Sequence, residues 1–247
     1  MQILEKWAEL DEKMRGLYGT KVSQMLNSFR TTHYTVNKTY QELFTAINSY
    51  EVNTKIWNPE KQEERMLFFR EFSRLLHNYL SSTYTLIQQA KELSEEYEKV
   101  REFYKIKIAF LHNDNSYNFG RCLRHITQHF ELLELVARFS RIGIEIGQPA
   151  KQSIILEKKL LDDKKGNDKK GESKLHPPVE REGFIKYLDE HDEIDLKIVL
   201  NQYQSLLDNF FEQFNLKTRE LYAKDIEEYD EVNNEIQQLQ LELRNTN

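Results

Sequence analysis

Residues 118–135 read Asn118-Phe119-Gly120-Arg121-Cys122-Leu123-Arg124-His125-Ile126-Thr127-Gln128-His129-Phe130-Glu131-Leu132-Leu133-Glu134-Leu135. Phe119, Leu123, Ile126, Phe130 and Leu133 recur in steps of four, three, four and three. That is the spacing of one face of an α-helix with about 3.6 residues per turn. Polar and charged residues fill the gaps, so the stretch predicts an amphipathic helix from about Asn118 to Leu135 whose apolar seam packs against other helices. Asn113-Asp114-Asn115-Ser116 lies just ahead, with side-chain oxygens suited to a turn and to the free N–H groups of a first helical turn.

Upstream the same spacing persists. Met66, Phe69, Phe72, Leu75, Leu76, Leu80, Leu86 and Ile87, then Leu93, Tyr97, Val100, Phe110 and Leu111, mark one very long helix, or two broken near Ser81-Ser82-Thr83. Asn58-Pro59 closes a connection running from Asn53, because proline restrains the residue before it and starts helices well. Ahead of it, Lys21 to Ser49 reads as a helix, with a kink expected over the Thr-rich, β-branched stretch Arg30 to Thr35. Ile3 to Leu17 reads as a short first helix, loosened at its end by Gly16 and Gly19.

Downstream the period changes. Ile142, Ile144 and Ile146 alternate, Gly147-Gln148-Pro149-Ala150 reads as a turn, and Ser153-Ile154-Ile155-Leu156 follows, which predicts a small β-hairpin after the motif helix. Residues 161–178 mix Lys164, Lys165, Lys169, Lys170 and Lys174 with acids and glycine, the composition of a mobile solvated loop. Arg181 to Glu190 reads as a short helix. Asp192 or Asp195 then caps a long helix carrying Leu196, Val199, Leu200, Tyr203, Leu206, Leu207, Phe210, Phe211 and Phe214. Its acidic continuation, Leu221 to Leu243, keeps only a narrow stripe of Ile226, Val232, Ile236, Leu239 and Leu243, which suits a protruding helix or a coiled-coil-like contact.

Composition agrees with a mainly α, long-helix bundle, read as a single helical domain over residues 1–247. Eight Gly and 4 Pro leave room for few tight turns, and 14 Phe with 13 Tyr supply ample core. The formal net charge of -6 provides no global basic field, so any nucleic-acid contact must be local. A single cysteine, Cys122, excludes an internal disulfide framework and a cysteine-rich zinc site. No apolar run approaches the ~20 residues of a membrane span. The charged start Met1-Gln2-Ile3-Leu4-Glu5-Lys6 lacks the apolar core of a signal peptide, and a cytoplasmic protein is expected.

The run Arg124 to His129 concentrates the candidate chemistry. On a helical wheel the seam takes one side, while Arg121, Arg124, His125 and Gln128 take the other. His129 lies on the flank, about 140° from Arg124. Arginine offers a planar fork to phosphate oxygens, and histidine exchanges a proton near neutral pH. Together they suffice for phosphodiester cleavage without a metal. An imidazole removes a ribose 2′-hydroxyl proton and a guanidinium stabilises charge developing at phosphorus. His125 and His129 also have the i, i+4 spacing of helical zinc ligands, but Arg121 and Arg124 repel a cation there, and neither a metal nor another cofactor is expected. His33, His77, His112, His176 and His191 show no ligand spacing. The sequence contains no Walker loop, dinucleotide glycine fingerprint or nucleophile elbow.

Arg124-His125, three residues, then His129 on a helix resembles the Arg-(Asn/His/Asp)-x3-His motif of the HEPN superfamily. The flanks are similar to a group of uncharacterised bacterial helical proteins with a Phe-x3-Leu-Arg-Asn-x3-His segment, matched by Phe119, Leu123, Arg124, His125 and His129, with His125 where Asn is commoner. Leu80-Ser81-Ser82, Ile154-Ile155-Leu156, Leu160-Leu161 and Ile194-Asp195-Leu196 extend the likeness over about Ser73 to Phe214. The Tyr-Gly-Leu-Pro stretch that often follows the family's histidine is absent, and Phe130-Glu131-Leu132-Leu133 continues the helical pattern. The resemblance implies a metal-independent endoribonuclease of a toxin–antitoxin or phage-defence system. It further implies RNA as substrate, a homodimer that joins two motifs, and a neutralising or regulatory protein partner. It assigns His129 as general acid/base and Arg124 as phosphate stabiliser, with Arg121, His125 and Gln128 holding substrate. The other class of function compatible with the sequence is a non-catalytic helical protein whose long helices bind a partner protein.

Overall fold

Apolar spacing decides where this chain is helical, and tertiary packing decides where the helices break. The computed structural model describes residues 2–53, 56, 59–129, 136–140, 151–157, 178–191 and 193–245. Helix α1 is Gln2–Gly16 and α2 is Tyr18–Val52, and a 3-10 turn, Pro59–Lys61, leads into α3, Gln62–Glu96. Helices α4, Glu98–His112, and α5, Asn115–His129, follow. Strands β1, Val136–Ser140, and β2, Lys151–Glu157, precede α6, Pro178–Glu190. Strand β3, Glu193–Asp195, then passes directly into α7, Leu196–Leu221, and α8, Ala223–Asn245, ends the described chain. The fold is a mainly α-helical bundle with one small antiparallel sheet.

Helix α3 does not break at Ser81-Ser82-Thr83, and α2 is continuous through Arg30 to Thr35. In α2 the Thr31 hydroxyl donates to the Asn27 carbonyl (2.9 Å) and that of Thr35 to the Thr31 carbonyl (3.0 Å). These side chains bond back one turn along the helix, and α2 runs through the Arg30 to Thr35 stretch. In α3 the Ser82 and Thr83 hydroxyls donate to the Tyr79 and Leu80 carbonyls at 2.7 and 2.8 Å, so the helix passes Ser81-Ser82-Thr83 unbroken. The break comes at Tyr97, which is extended (φ −112°, ψ 95°). Its buried ring lies 5.9 Å from that of Tyr18 and 5.8 Å from that of Tyr222. Arg101 then donates to the Ser94 and Glu95 carbonyls, satisfying acceptors left open at the end of α3.

Helix α2 packs on α3, and α8 lies along α1 and α2 rather than projecting alone. The narrow stripe of α8 explains this, since Val232, Ile236 and Leu239 are all buried. Where α2 meets α8, a methyl group on Gly19 would strike the backbone carbonyl of Asp225, so the approach requires glycine. Helix α7 packs against α4 and α5 and also touches α2. The buried residues form one contiguous cluster, with Phe29, Phe72, Phe119, Phe214, Tyr79 and Tyr203 among its largest members. A polar chain crosses it. Tyr79 Oη donates to Gln204 Oε1 (3.0 Å), and Gln204 Nε2 donates to Asn37 Oδ1 (2.7 Å) and Asp208 Oδ1 (3.0 Å), joining α3, α7 and α2. Each partner satisfies the next, so burial leaves these groups paired.

The sheet differs in register from its expectation. Strand β2 covers Ser153 to Leu156 as foreseen, but its partner is β1, with Val136 opposite Ile155 and Ser140 opposite Lys151. A third strand, β3, adds Ile194 opposite Leu156 on the other edge. Ile154 and Leu156 are buried, and β2 packs on α2 and α7. The alternating Ile142 to Ile146, the turn Gly147 to Ala150 and all of 161–178 except Pro178 lie outside the described residues. None of the described helices is long and apolar enough to cross a membrane.

Two aspartates set helix starts. Asp195, of the two candidates, accepts from the Lys197 and Ile198 N–H groups and caps α7. Asp114 accepts from the N–H groups of Ser116 (2.8 Å) and Tyr117 (3.1 Å), so α5 begins three residues ahead of the expected Asn118. Removing such a cap costs about 1 kcal/mol, so Asp114→Ala is expected to lower the unfolding free energy by about that much in urea titrations. Asp114→Asn, which keeps an accepting oxygen, is expected to lose less.

Candidate functional site

Helix α5 carries the motif, and packing fixes its rotation. Phe119, Leu123 and Ile126 are fully buried, and Cys122 is 1% exposed. On one flank Phe119 stacks on Phe184 of α6 at 5.3 Å, with the rings 16° apart. On another, Gly120 meets α7 so closely that an added Cβ would lie 2.8 Å from the Tyr203 ring. At the start of α5, Asn118 Nδ2 donates to the His112 carbonyl at 2.7 Å, tying α5 to the end of α4. These contacts leave Arg121 and Arg124 on the side that faces α3 and α4.

The helical wheel set these residues opposite the apolar seam, and the structure adds what that side faces. Arg121, Arg124 and His125 are half-buried. The Arg124 guanidinium carbon lies 3.7 Å from the centroid of the Tyr84 ring, and that of Arg121 lies 4.9 Å from the same ring. Both are within the ~6 Å over which an aromatic quadrupole attracts a cation, an interaction worth about 0.5–2 kcal/mol depending on desolvation. Tyr84 thus gathers two like charges, three positions apart on α5, at one aromatic side chain of α3. A guanidinium is weakly hydrated and planar, so its face can leave water while the N–H groups at its edge remain donors. Thr127 turns its hydroxyl onto the Arg124 carbonyl at 2.9 Å. The side chains of Gln128 and His129 lie outside the described residues, although both backbones belong to the last turn of α5.

Three residues join this site that sequence reasoning missed. Tyr84 is one; it stands beside the Ser-Ser-Thr stretch read as a possible break and offers no local signal. Tyr104 of α4 is the second. Burial pushes its phenol up to about 12, with nearby Arg121 pulling the other way. His112 is the third, half-buried and stacked on Tyr117 with centroids 5.8 Å apart. Burial first, and then the positive charge of Arg121, hold its imidazole below the ordinary value of 6.5. The tight turn at Asn113-Asp114 was a usable signal for His112, since it folds α5 back beside the last turn of α4. Among the described residues no three His, Cys, Asp or Glu side chains converge as a metal site requires.

The His112 shift has a sign that can be checked. The unfolded chain takes up this proton before the folded one does, so His112 contributes nothing to pH dependence well above 6.5. Stability falls as the pH drops below that value and levels off beneath the folded pKa. Titration of the His112 ring protons by NMR is expected to give a pKa below 6.5, and Arg121→Gln is expected to move it partway back up. The return is partial because burial, the larger cause, remains.

Comparison of the chain with protein-family models, with curated proteins and with solved structures returned no match.

Proposed function

We propose that this protein is a HEPN-like, metal-independent endoribonuclease, cytoplasmic and homodimeric, acting in a toxin or phage-defence system with a neutralising or regulatory protein partner. The observation that carries the reading is the pairing of Arg121 and Arg124 on Tyr84, beside His125 and one turn ahead of His129. On a chain of net charge -6 a phosphodiester needs a local basic contact, and these two neighbouring arginines are the residues the reading assigns to it.

In this reading His129 takes the proton of a ribose 2′-hydroxyl, and the 2′ oxygen attacks the adjacent phosphorus. Arg124 meets the charge that develops on the non-bridging oxygens, a contact that strengthens toward the transition state. The bond to the 5′ oxygen breaks as that oxygen takes up a proton, from protonated His129 or from water, leaving a 2′,3′-cyclic phosphate and a 5′-hydroxyl. Arg121, His125 and Gln128 hold the backbone of the substrate.

The test is cleavage of single-stranded RNA by the purified full chain with excess EDTA. Cleavage is expected to survive EDTA, to leave cyclic phosphate ends, and to fail on a strand with 2′-deoxyribose at the scissile position. Loss of cleavage in EDTA, or cleavage of the deoxy strand, rejects the mechanism. No cleavage under any condition leaves the second reading, a helical protein that binds a partner protein without catalysis.

A further inference from the structure

We propose that Arg30, Asn215 and Arg219, along the seam where α2 packs on α7, form an anion site that takes a phosphate group. The two helices run antiparallel with facing stripes spaced by three and four residues. These are Arg30, His33 and Asn37 on α2, and Gln204, Asp208, Phe211, Asn215 and Arg219 on α7. Contacts across the seam form rungs. On the first, Gln204 Nε2 donates to Asn37 Oδ1 at 2.7 Å. On the second, His33 Nε2 lies 2.7 Å from Asp208 Oδ1, and the His33 ring stacks on Phe211 with centroids 3.7 Å apart. Each of these rungs sets a polar group against its complement.

The next positions break that rule. They are Arg30 on α2 and Asn215, then Arg219, on α7, and the two guanidinium groups repel. Burial first, and then the positive charge of Arg219, hold the Arg30 guanidinium below its usual pKa. Neither arginine has Asp or Glu three or four positions away on its own helix. Among the described residues no carboxylate forms an ion pair with either. Arg219 Nε and Asn215 Oδ1, one turn apart, are both buried without a hydrogen-bond partner. Buried polar atoms are almost always satisfied, so two such atoms beside two like charges point to a ligand. An anion accepts from Arg219 Nε and offsets the repulsion between the guanidinium groups. Phosphate suits the set better than a carboxylate, because its oxygens meet planar forks arriving from two helices. In its monohydrogen form it also carries an O–H donor for Asn215 Oδ1. The inference is independent of the ribonuclease reading, since its residues belong to α2 and α7 and not to α5.

The test titrates inorganic phosphate into the full chain by calorimetry, with acetate at matched ionic strength as the control. Wild type is expected to bind phosphate more tightly than acetate. Arg30→Gln and Arg219→Gln are each expected to weaken phosphate about 10–100-fold, as loss of a hydrogen bond to a charged group does. Arg124→Ala is expected to leave this binding unchanged. Arg30 is exposed, so its glutamine variant should fold. In phosphate-free buffer that variant is expected to melt no lower than wild type, because a like-charge contact is gone. It is also expected to lose the rise in Tm that phosphate gives wild type. Equal phosphate affinity in wild type, Arg30→Gln and Arg219→Gln, or no preference for phosphate over acetate, overturns the proposal. A nucleoside 5′-monophosphate and a single-stranded RNA, titrated in the same way, separate the two sources of the phosphate. A monophosphate that binds more tightly than inorganic phosphate, and loses that affinity in Arg30→Gln, supports the site as one for a free phosphorylated ligand. RNA that loses affinity in Arg30→Gln, with the monophosphate no better than inorganic phosphate, supports it as a contact to the nucleic-acid backbone.

Discussion

His129→Ala is expected to lower metal-free RNA cleavage by about 10²–10⁴-fold, the range that one general acid/base supplies. Arg124→Ala is expected to cost about 10²–10³-fold, as removal of a single transition-state charge donor does. Both losses should appear in kcat more than in KM, because each interaction matures only as charge moves. The double variant is expected to fall little below the worse single one, since two groups acting in one step are not additive. Arg124→Lys is not a conservative control here. Lysine brings the charge but no plane to lie on Tyr84, and it is expected to recover only a small part of the loss. Equal cleavage by wild type and His129→Ala would place the chemistry elsewhere on the molecule.

The elements of this molecule that were legible in the sequence are those whose signal is periodic. Phe119, Leu123 and Ile126 are spaced as a seam and are buried as one. The same holds for Val199, Leu200, Tyr203, Leu207, Phe210 and Phe214 along α7. Ser153 to Leu156 read as a strand because it is short, β-branched and preceded by turn residues. Breaks and neighbours were another matter. Tyr97 is an acceptable helix residue, and what bends the chain there is the space between the rings of Tyr18 and Tyr222, which come from distant parts of the sequence. Strand β3 has only three residues and exists because β2 offers an edge. The wheel set Arg121 and Arg124 opposite the seam because it knows polarity and angle, but not that α3 presents Tyr84 at that angle. A sequence can thus nominate the site's own helix, while the residues that arrive from α3 and α4 appear only when the bundle is assembled.

Phe214→Ala is expected to be among the most costly core substitutions, lowering the unfolding free energy by about 3–5 kcal/mol. Phe214 is fully buried where α2, α4 and α7 meet. Its ring lies 5.4 Å from Phe29 of α2, 6.5 and 6.2 Å from Phe103 and Tyr104 of α4, and 5.8 Å from Phe210 one turn earlier. These neighbours belong to three helices anchored by separate contacts, such as the Arg101 bonds that hold α4 to the end of α3. They cannot all close on the space an alanine would leave, and a cavity that stays open is what raises the cost above simple transfer. The urea midpoint should fall with an unchanged slope, because the surface exposed on unfolding is nearly the same. Phe214→Leu, which refills most of the volume, should lose clearly less. The two large effects should also dissociate. Under conditions where it is fully folded, Phe214→Ala is expected to cleave RNA within a few-fold of wild type, since Tyr84 and α5 do not rest on this ring. His129→Ala is expected to keep the wild-type midpoint while losing activity. A Phe214→Ala protein that is folded but inactive would mean that the arginine site depends on Tyr104 and the α4 core, and not on Tyr203 and Tyr84 alone.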